Sequence, residues 1–432
     1  MRKTVLTLAF FIILSLSLSG CDEKKEEKLV LTILTEREYE DQVKVARHGF
    51  NEKYDDVEVK IQTLSEEPET RETQIQKLRT QIVAGKGYDV YILNNLRYGS
   101  GEPLDELPLF DNPYKTMQSG VFSPLNDNMN QDSYWKGTSY FDPLLKAGQY
   151  EGKQYILPLS FESELFLSNT EGTGNLNGKT LLEWLEYADS SQDLDLRGTM
   201  AQQALHVKGW YQPAADYEKK AILFDEKQWA DFFVLMEQFC TEYFSESVDW
   251  YGEMTVKGIT NEIKRMEIVP DLQGNRIMEV QAFGAVGMSS DTKQDAYRFL
   301  MLFLNRQTEG LEDGIGGRDN PADQEAIKWM LKRSGLSDET IEETMKILSQ
   351  FNLAYFSTKT ESMLQTSVDQ AEREKRWEVT KDWEDCKKTG AETVKSVVGK
   401  YEAKIRVSRT RYRKIEVSKK RGGNGLVRLT PR

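Results

Sequence analysis

The chain has 432 residues, 39% of them hydrophobic, and a net charge of −13 from 57 basic and 70 acidic side chains. That length exceeds one ordinary hydrophobic core, so two lobes are expected. Residues 400–432 carry 12 basic and 2 acidic side chains, a balance of +10, which leaves −23 on the rest; a body this acidic excludes nucleic acid as its partner. At the N-terminus, Arg2 and Lys3 precede an apolar run over residues 5–18 that is too short to span a bilayer. Ser19, Gly20 and Cys21 follow, then seven charged residues at 22–28 that bury nothing and read as a solvated tether.

The positive start, apolar run, small residues and Cys21 resemble the lipobox of a bacterial lipoprotein. That resemblance implies cleavage of residues 1–20 and acylation of Cys21. The alternative is a plain secretory signal that ends near a cysteine. Acyl chains contribute ~0.8 kcal/mol per buried methylene, so two or three chains, palmitate among them, anchor firmly.

The folded body begins with a β-rich apolar run at residues 29–34. Tyr39, Val43, Ala46 and Phe50 then recur at helical spacing. Val57, Val59 and Ile61 alternate with Glu58 and Lys60, a half-buried strand. Ile75, Leu78 and Ile82 predict a helix stopped by Gly85 and Gly87, and residues 90–93 predict a third strand behind Asp89. This β-α-β-α-β order argues for an α/β sheet. Residues 94–120, rich in Gly, Pro, Asn and Asp, predict loop, and residues 152–160 a turn and a strand. Thr180 and Glu183 predict a capping box ahead of a helix through Trp184 and Leu185. Residues 229–244 predict an apolar helix, and strands return near Met266 and over 282–288. Asp291 is expected to cap the helix buried through Ala296, Phe299, Leu300 and Phe303. After the glycine-rich break at 314–317 the chain reads as helical, with Leu336, Ser337 and Ile341 as a hydrophobic staple around an N-cap.

Six of these segments carry a family resemblance: residues 50–54, 83–90, 121–126, 150–160, 180–185 and 288–290. In this order, behind the Cys21 motif, they resemble the bacterial extracellular solute-binding proteins of family 1. These are lipid-anchored receptors of ABC importers, and the maltodextrin-binding group is nearest in layout. The resemblance covers residues 29–400 and is weakest over 198–261. It implies an α/β, two-lobe, periplasmic-binding-protein-like fold (type II) with the ligand cleft between the lobes. The chain would cross between lobes near residues 157–161, near Val269 and around Gly314. The N-terminal lobe would comprise 29–158 with 268–313, and the C-terminal lobe 159–267 with 314–405. It also implies a monomer without enzymatic activity, cofactor or metal, held on the outer face of the cell membrane by the lipid on Cys21. Its partners would be a small solute, best read as carbohydrate, and the importer's permease subunits.

Cleft residues are expected just after the strands, where α/β sheets present their loops. These are Glu36 and Arg37 after the first strand, Asn94, Asn95 and Arg97 after the third, and Glu162 past the hinge strand. In the maltodextrin-binding group an acidic–basic pair, a basic residue and a carboxylate at matching places bond sugar hydroxyls. Leu96 and Leu93 depart from that group, standing where an aspartate and an aromatic residue are usual. A sugar ring also needs aromatic faces, for which Trp210 and Trp250, each followed by a tyrosine, are the choices. The bland alternatives are solvated loop charges and core aromatics.

Two histidines, His48 and His206, argue against histidine chemistry, and His48 lies off its helix's apolar stripe, as a solvated surface residue would. Cys240 and Cys386 read as free thiols or as one disulfide. The basic tail, 406–432, reads either as a disordered extension or as a segment drawn to anionic lipid. A surface carbohydrate-active enzyme and an adhesion lipoprotein are the competing functional readings. No HExxH, GxSxG or phosphate loop supports the first.

Overall fold

The computed structural model describes residues 28–97, 107–169, 176–191, 196–198, 255–304 and 319–358, with isolated positions between 213 and 253 and at 315. The first unit runs strand–helix–strand–helix–strand: β1 (Leu29–Thr35), the helix Glu40–Lys53, β2 (Val57–Thr63), the helix Pro68–Val83 and β3 (Val90–Asn94). The first helix buries Val43, Ala46 and Phe50, with Tyr39 buried in the turn before it; the second buries Ile75 and Leu78 and leaves Ile82 half-buried. Val57 and Val59 face the core while Glu58 and Lys60 face water, as a period of two requires. Asp89 pins β3 to β1: the Thr32 amide and hydroxyl both donate to its Oδ2 at 2.7 Å.

The remaining strands, in chain order, are β4 (Gln149–Tyr150), β5 (Lys153–Gln154), β6 (Ile156–Pro158), β7 (Ser160–Glu162), β8 (Leu165–Ser168), β9 (Ala215–Asp216), β10 (Ala221–Ile222), β11 (Gly252–Glu253), β12 (Arg265–Ile268), β13 (Ile277–Val280), β14 (Ala282–Val286), β15 (Asn320–Pro321) and β16 (Leu353–Tyr355). The β4–β5 turn puts Glu151 and Gly152 at φ 48° and 72°, the left-handed pair that a two-residue hairpin demands.

A five-stranded sheet has the order β2-β1-β3-β14-β6, parallel through β2, β1 and β3 and antiparallel at β14. A four-stranded sheet has the order β15-β7-β13-β16, and a three-stranded one the order β11-β8-β12. β14 lies between β3 and β6 with every residue buried, and the helix Lys293–Met301 packs on it so closely that a Cβ on Gly284 would sit 2.1 Å from a Leu300 methyl. Small size, not conformation, is what this glycine supplies.

The chain passes from the five-stranded to the four-stranded sheet at Leu159, between β6 and β7, and returns at Gln281, between β13 and β14. The pairing does not slip there. Phe283 faces Pro158 and Val280 faces Phe161, a single antiparallel register across the passage. The Gln281 amide donates to the Ser160 carbonyl at 3.0 Å, which keeps that register through the crossing. The return therefore lies C-terminal of Val269. The first passage falls within residues 157–161, and the stretch around Gly314 is largely outside the described residues.

Two local expectations are corrected. The helix Pro113–Gln118 lies inside the segment read as loop; Asn112 caps it by accepting from the Lys115 amide at 3.0 Å. Asn-Pro is itself a helix-start signal, hidden there by the turn-like composition around it. Thr292, not Asp291, holds the N-cap position of Lys293–Met301, and it makes no side-chain cap bond. The Thr180–Glu183 capping box is present, and Ser337 caps Asp338–Leu348 with Leu336 and Ile341 buried beside it. His48 is solvent-exposed beside Glu52. Almost all of the helix expected over 229–244 lies outside the described residues, as do Cys21, His206, Cys240, Cys386 and the basic tail. Among the described residues no helix is long and apolar enough to cross a membrane.

Candidate functional site

The strand ends β1 and β3 meet the passage strands β7 and β13 at one place. Glu36, the residue after β1, turns inward and is 3% exposed. Arg71 grips its carboxylate with both terminal nitrogens, at 2.8 and 3.1 Å, and its Nε donates to the Leu107 carbonyl at 2.9 Å. Burial pushes the Glu36 carboxyl above its ordinary pKa, with Arg71 opposing. Both Glu36 oxygens thus serve to tie helix Pro68–Val83 and the Leu107 loop to the sheet. Arg37 is exposed and pairs with Glu40.

The residues at the end of β3 are arranged otherwise. The Asn94 side chain accepts from the Tyr39 hydroxyl and donates to the Glu38 carboxylate. The Asn95 amide donates to the Gln281 carbonyl at 2.6 Å, extending the β3–β14 ladder by one step into the passage. The Asn95 side chain is buried, and neither its Oδ1 nor its Nδ2 has a hydrogen-bond partner among the described residues. The same holds for Oε1 of buried Gln281. Arg97 donates to Asp319 Oδ2 at 2.7 Å, and the Ser160 hydroxyl donates to the same oxygen at 3.0 Å while accepting from the Ala282 amide. Burial works against the charge on Arg97. Asp319 first, then Tyr39, Glu162 and Glu38, outweigh it and push the guanidinium pKa up. Tyr39 is pushed well above its ordinary value by burial, then by Glu38 and Asp319.

Glu162 on β7 stands directly opposite Glu279 on β13, and Ser357 donates to the Glu279 carboxylate. On antiparallel strands, positions two apart share a face. Ser160 and Glu162, Gln281 and Glu279, and Asn95 across from Gln281 therefore line one face of the joined strands.

The structure brings Asn94, Asn95, Arg97 and Glu162 together, and sets Glu36 and Arg37 into other pairings. Trp210 and Trp250 lie outside the described residues. Sequence reasoning missed Glu38, Ser160, Glu279, Gln281 and Asp319, and it read Tyr39 only as core. The signal for two of these was present: Glu279 and Gln281 are polar residues inside the otherwise apolar run 277–286. An aromatic pair was missed as well. Tyr217 stacks on Tyr114 with ring centroids 5.0 Å apart and 13° between planes, and its hydroxyl meets Thr358 at 3.2 Å. Among the described residues no group of three or more His, Cys, Asp or Glu could hold a metal ion. The arrangement offers hydrogen-bond donors and acceptors held by two sheets at once, which suits it to bind a polar solute at their junction.

No protein-family model matches the chain, and no curated protein matches it in sequence. Solved structures do match. An extracellular solute-binding protein family 1 member from Alicyclobacillus acidocaldarius superposes with a TM-score of 0.55 at 11% identity, covering 87% of this chain and 99% of that one. The chain shares the two-lobe α/β fold of solute-binding proteins. A periplasmic oligogalacturonide-binding protein from Yersinia enterocolitica matches at 0.53 and 16% identity, covering 85% and 100%. A cyclo/maltodextrin-binding protein in complex with maltotetraose matches at 0.50 and 14%, covering 89% and 99%. Designed esterases share the fold as well.

Proposed function

We propose that the protein is the substrate-binding lipoprotein of an ABC importer, which captures a saccharide by lobe closure and hands it to a membrane permease. The observation that carries the reading is the meeting of Asn95, Arg97 and Glu162 where the chain passes between its two main sheets. One lobe is built on the five-stranded sheet and the other on the four- and three-stranded sheets. The passages at Leu159 and Gln281 act as the hinge, since a few residues between packed sheets can absorb the dihedral changes of closure. The likeness in fold to an oligogalacturonide-binding protein and to a cyclo/maltodextrin-binding protein that holds maltotetraose supports a carbohydrate. The segment before the body supports attachment: the apolar run, Cys21 and the charged tether suit a lipid-anchored, extracytoplasmic receptor that stays concentrated near its importer. The cleft binds without chemistry.

Calorimetry with neutral oligosaccharides, followed by chromatography of the recovered sugar, tests this. Saturable heat with unchanged sugar is expected. Cleaved sugar would replace the receptor by a carbohydrate-active enzyme. Glu162→Ala is expected to weaken binding at least tenfold while the denaturation midpoint stays near wild type. Trp250→Ala is expected to act likewise, and wild-type affinity would remove either residue from the site.

A further inference from the structure

Six large hydrophobic side chains are exposed among the described residues, and four of them stand at one end of the five-stranded sheet: Leu29, Val30, Val83 and Met288. The topology puts them there. β1, β2 and β3 run parallel and start at this end, so Leu29 and Val30 lie at it, opposite Val57 and Glu58. Val83 closes the helix that leads into β3. β14 runs the other way and finishes here, with Val286 opposite Val90 and Met288 two residues beyond. The last two segments touch, since a Cβ on Gly87 would sit 3.3 Å from Ser289 Oγ. Scattered exposed apolar side chains need no partner, whereas a group at one pole, with Val83 88% exposed, marks a surface that meets something apolar.

The course of the chain indicates what that partner is. Cys21 stands eight residues before Leu29, and eight residues reach at most about 28 Å. Glu36 and the strand ends that meet β7 lie at the other end of β1, about 20 Å further on along its seven residues. We infer that the pole of Leu29, Val30, Val83 and Met288 rests on the lipid surface, with its apolar side chains at the headgroup boundary and the cleft turned away from the bilayer. The inference rests on the lipid-anchor reading of Cys21 and goes beyond it, from attachment to orientation. Exposed charges at this end are of both signs, Lys28, Lys53 and Lys86 with Asp55, Asp56 and Asp291. The contact therefore draws on apolar area and not on the charge of the lipid. Such binding scales with the apolar area buried. Four side chains make a contact that releases readily, which leaves the receptor free to turn toward its importer.

The test is hydroxyl-radical footprinting, read by mass spectrometry, of the chain purified from membranes and placed in phosphatidylcholine vesicles. The reference is the same chain begun at Asp22, which carries no lipid, in solution beside the same vesicles. Oxidation of Leu29, Val83 and Met288 is expected to fall at least threefold in the anchored chain. Val45, exposed midway along the helix Glu40–Lys53, is expected to keep its rate. Val83→Ser combined with Met288→Ser is expected to restore most of the oxidation at Leu29; full protection there would assign the shielding to the nearby anchor and overturn the apolar contact. Raising the salt from 0.05 to 0.5 M is expected to change protection less than twofold, and its loss would assign the contact to charge and overturn the inference too. Should the variant not fold, the wild type still decides. A chain that floats with the vesicles while Val83 and Met288 oxidise as fast as in the reference overturns the inference and leaves the anchor intact. A chain that does not float with them overturns both.

Discussion

Arg71 and Arg97 each hold a carboxylate near the strand ends, and the two pairs differ in what they join. Arg71–Glu36 lies within one unit, with side chains 5% and 4% exposed. Removing one partner from such a pair leaves a buried charge alone, which costs about 3–5 kcal/mol. Arg71→Ala should lose stability on that scale in urea denaturation. The pair itself is worth much less. Burial already pushes the Glu36 carboxyl upward in spite of Arg71, so the ion pair does not repay its dehydration in full. Joint replacement, Glu36→Leu with Arg71→Met, should therefore cost far less than Arg71→Ala alone, and a double variant as unstable as the single would refute this. Glu36 was legible in the sequence as an acid after a strand. Its partner was not, because Arg71 sits on a helix whose register over the Leu107 loop no local pattern records. An exposed loop acid and a buried tie have the same sequence.

Elements were more legible than sites because their signals are local. The stripes Val43–Ala46–Phe50 and Ile75–Leu78 and the alternation Val57–Val59 announce two helices and the strand between them. The Pro113–Gln118 helix escaped because its start signal uses the same residues as a turn. Glu279 and Gln281 escaped for a different reason: the apolar run around them announces a buried strand, and only the pairing with β7 and β3 turns their side chains toward a shared polar face. Two substitutions test the packing of these elements. Gly284→Ala forces a methyl against Leu300 beneath the helix Lys293–Met301, and overpacking of this kind costs about 1–3 kcal/mol. Ser337→Ala removes the bond that the Thr340 amide makes to Ser337 Oγ at 3.1 Å, worth about 1 kcal/mol at a helix start. Urea midpoints should rank the glycine variant at or below the serine variant, and a neutral Gly284→Ala would mean that Leu300 has room to move.

On the scale of the whole molecule, one carboxylate ties the passages together. Asp319, just before β15, accepts from Arg97 beyond the end of β3 and from Ser160 at the start of β7, and Ser160 in turn accepts from the Ala282 amide at the return passage. The Arg97 and Asp319 side chains are 11% and 0% exposed, so water screens the pair little. If the protein closes on a solute as proposed, a network that spans both sheets favours whichever arrangement satisfies it, and here that is the arrangement with the strand ends together. Asp319→Asn keeps the shape and removes the charge. A hydrogen bond to a charged group is worth about 1.5–3 kcal/mol, which corresponds to a shift of roughly tenfold to a hundredfold in the balance between open and closed forms. Small-angle scattering should then give a larger radius of gyration for solute-free Asp319→Asn than for the wild type. Saturating saccharide should remove most of the difference, and affinity should fall, by at most that factor, since solute must supply the closure energy that the carboxylate no longer does. Ser337→Ala, which loses stability far from the passages, should leave the radius unchanged. If Asp319→Asn matches the wild type in both radius and affinity, the carboxylate holds the fold but not the hinge, and the closure balance must reside in contacts made by the solute itself.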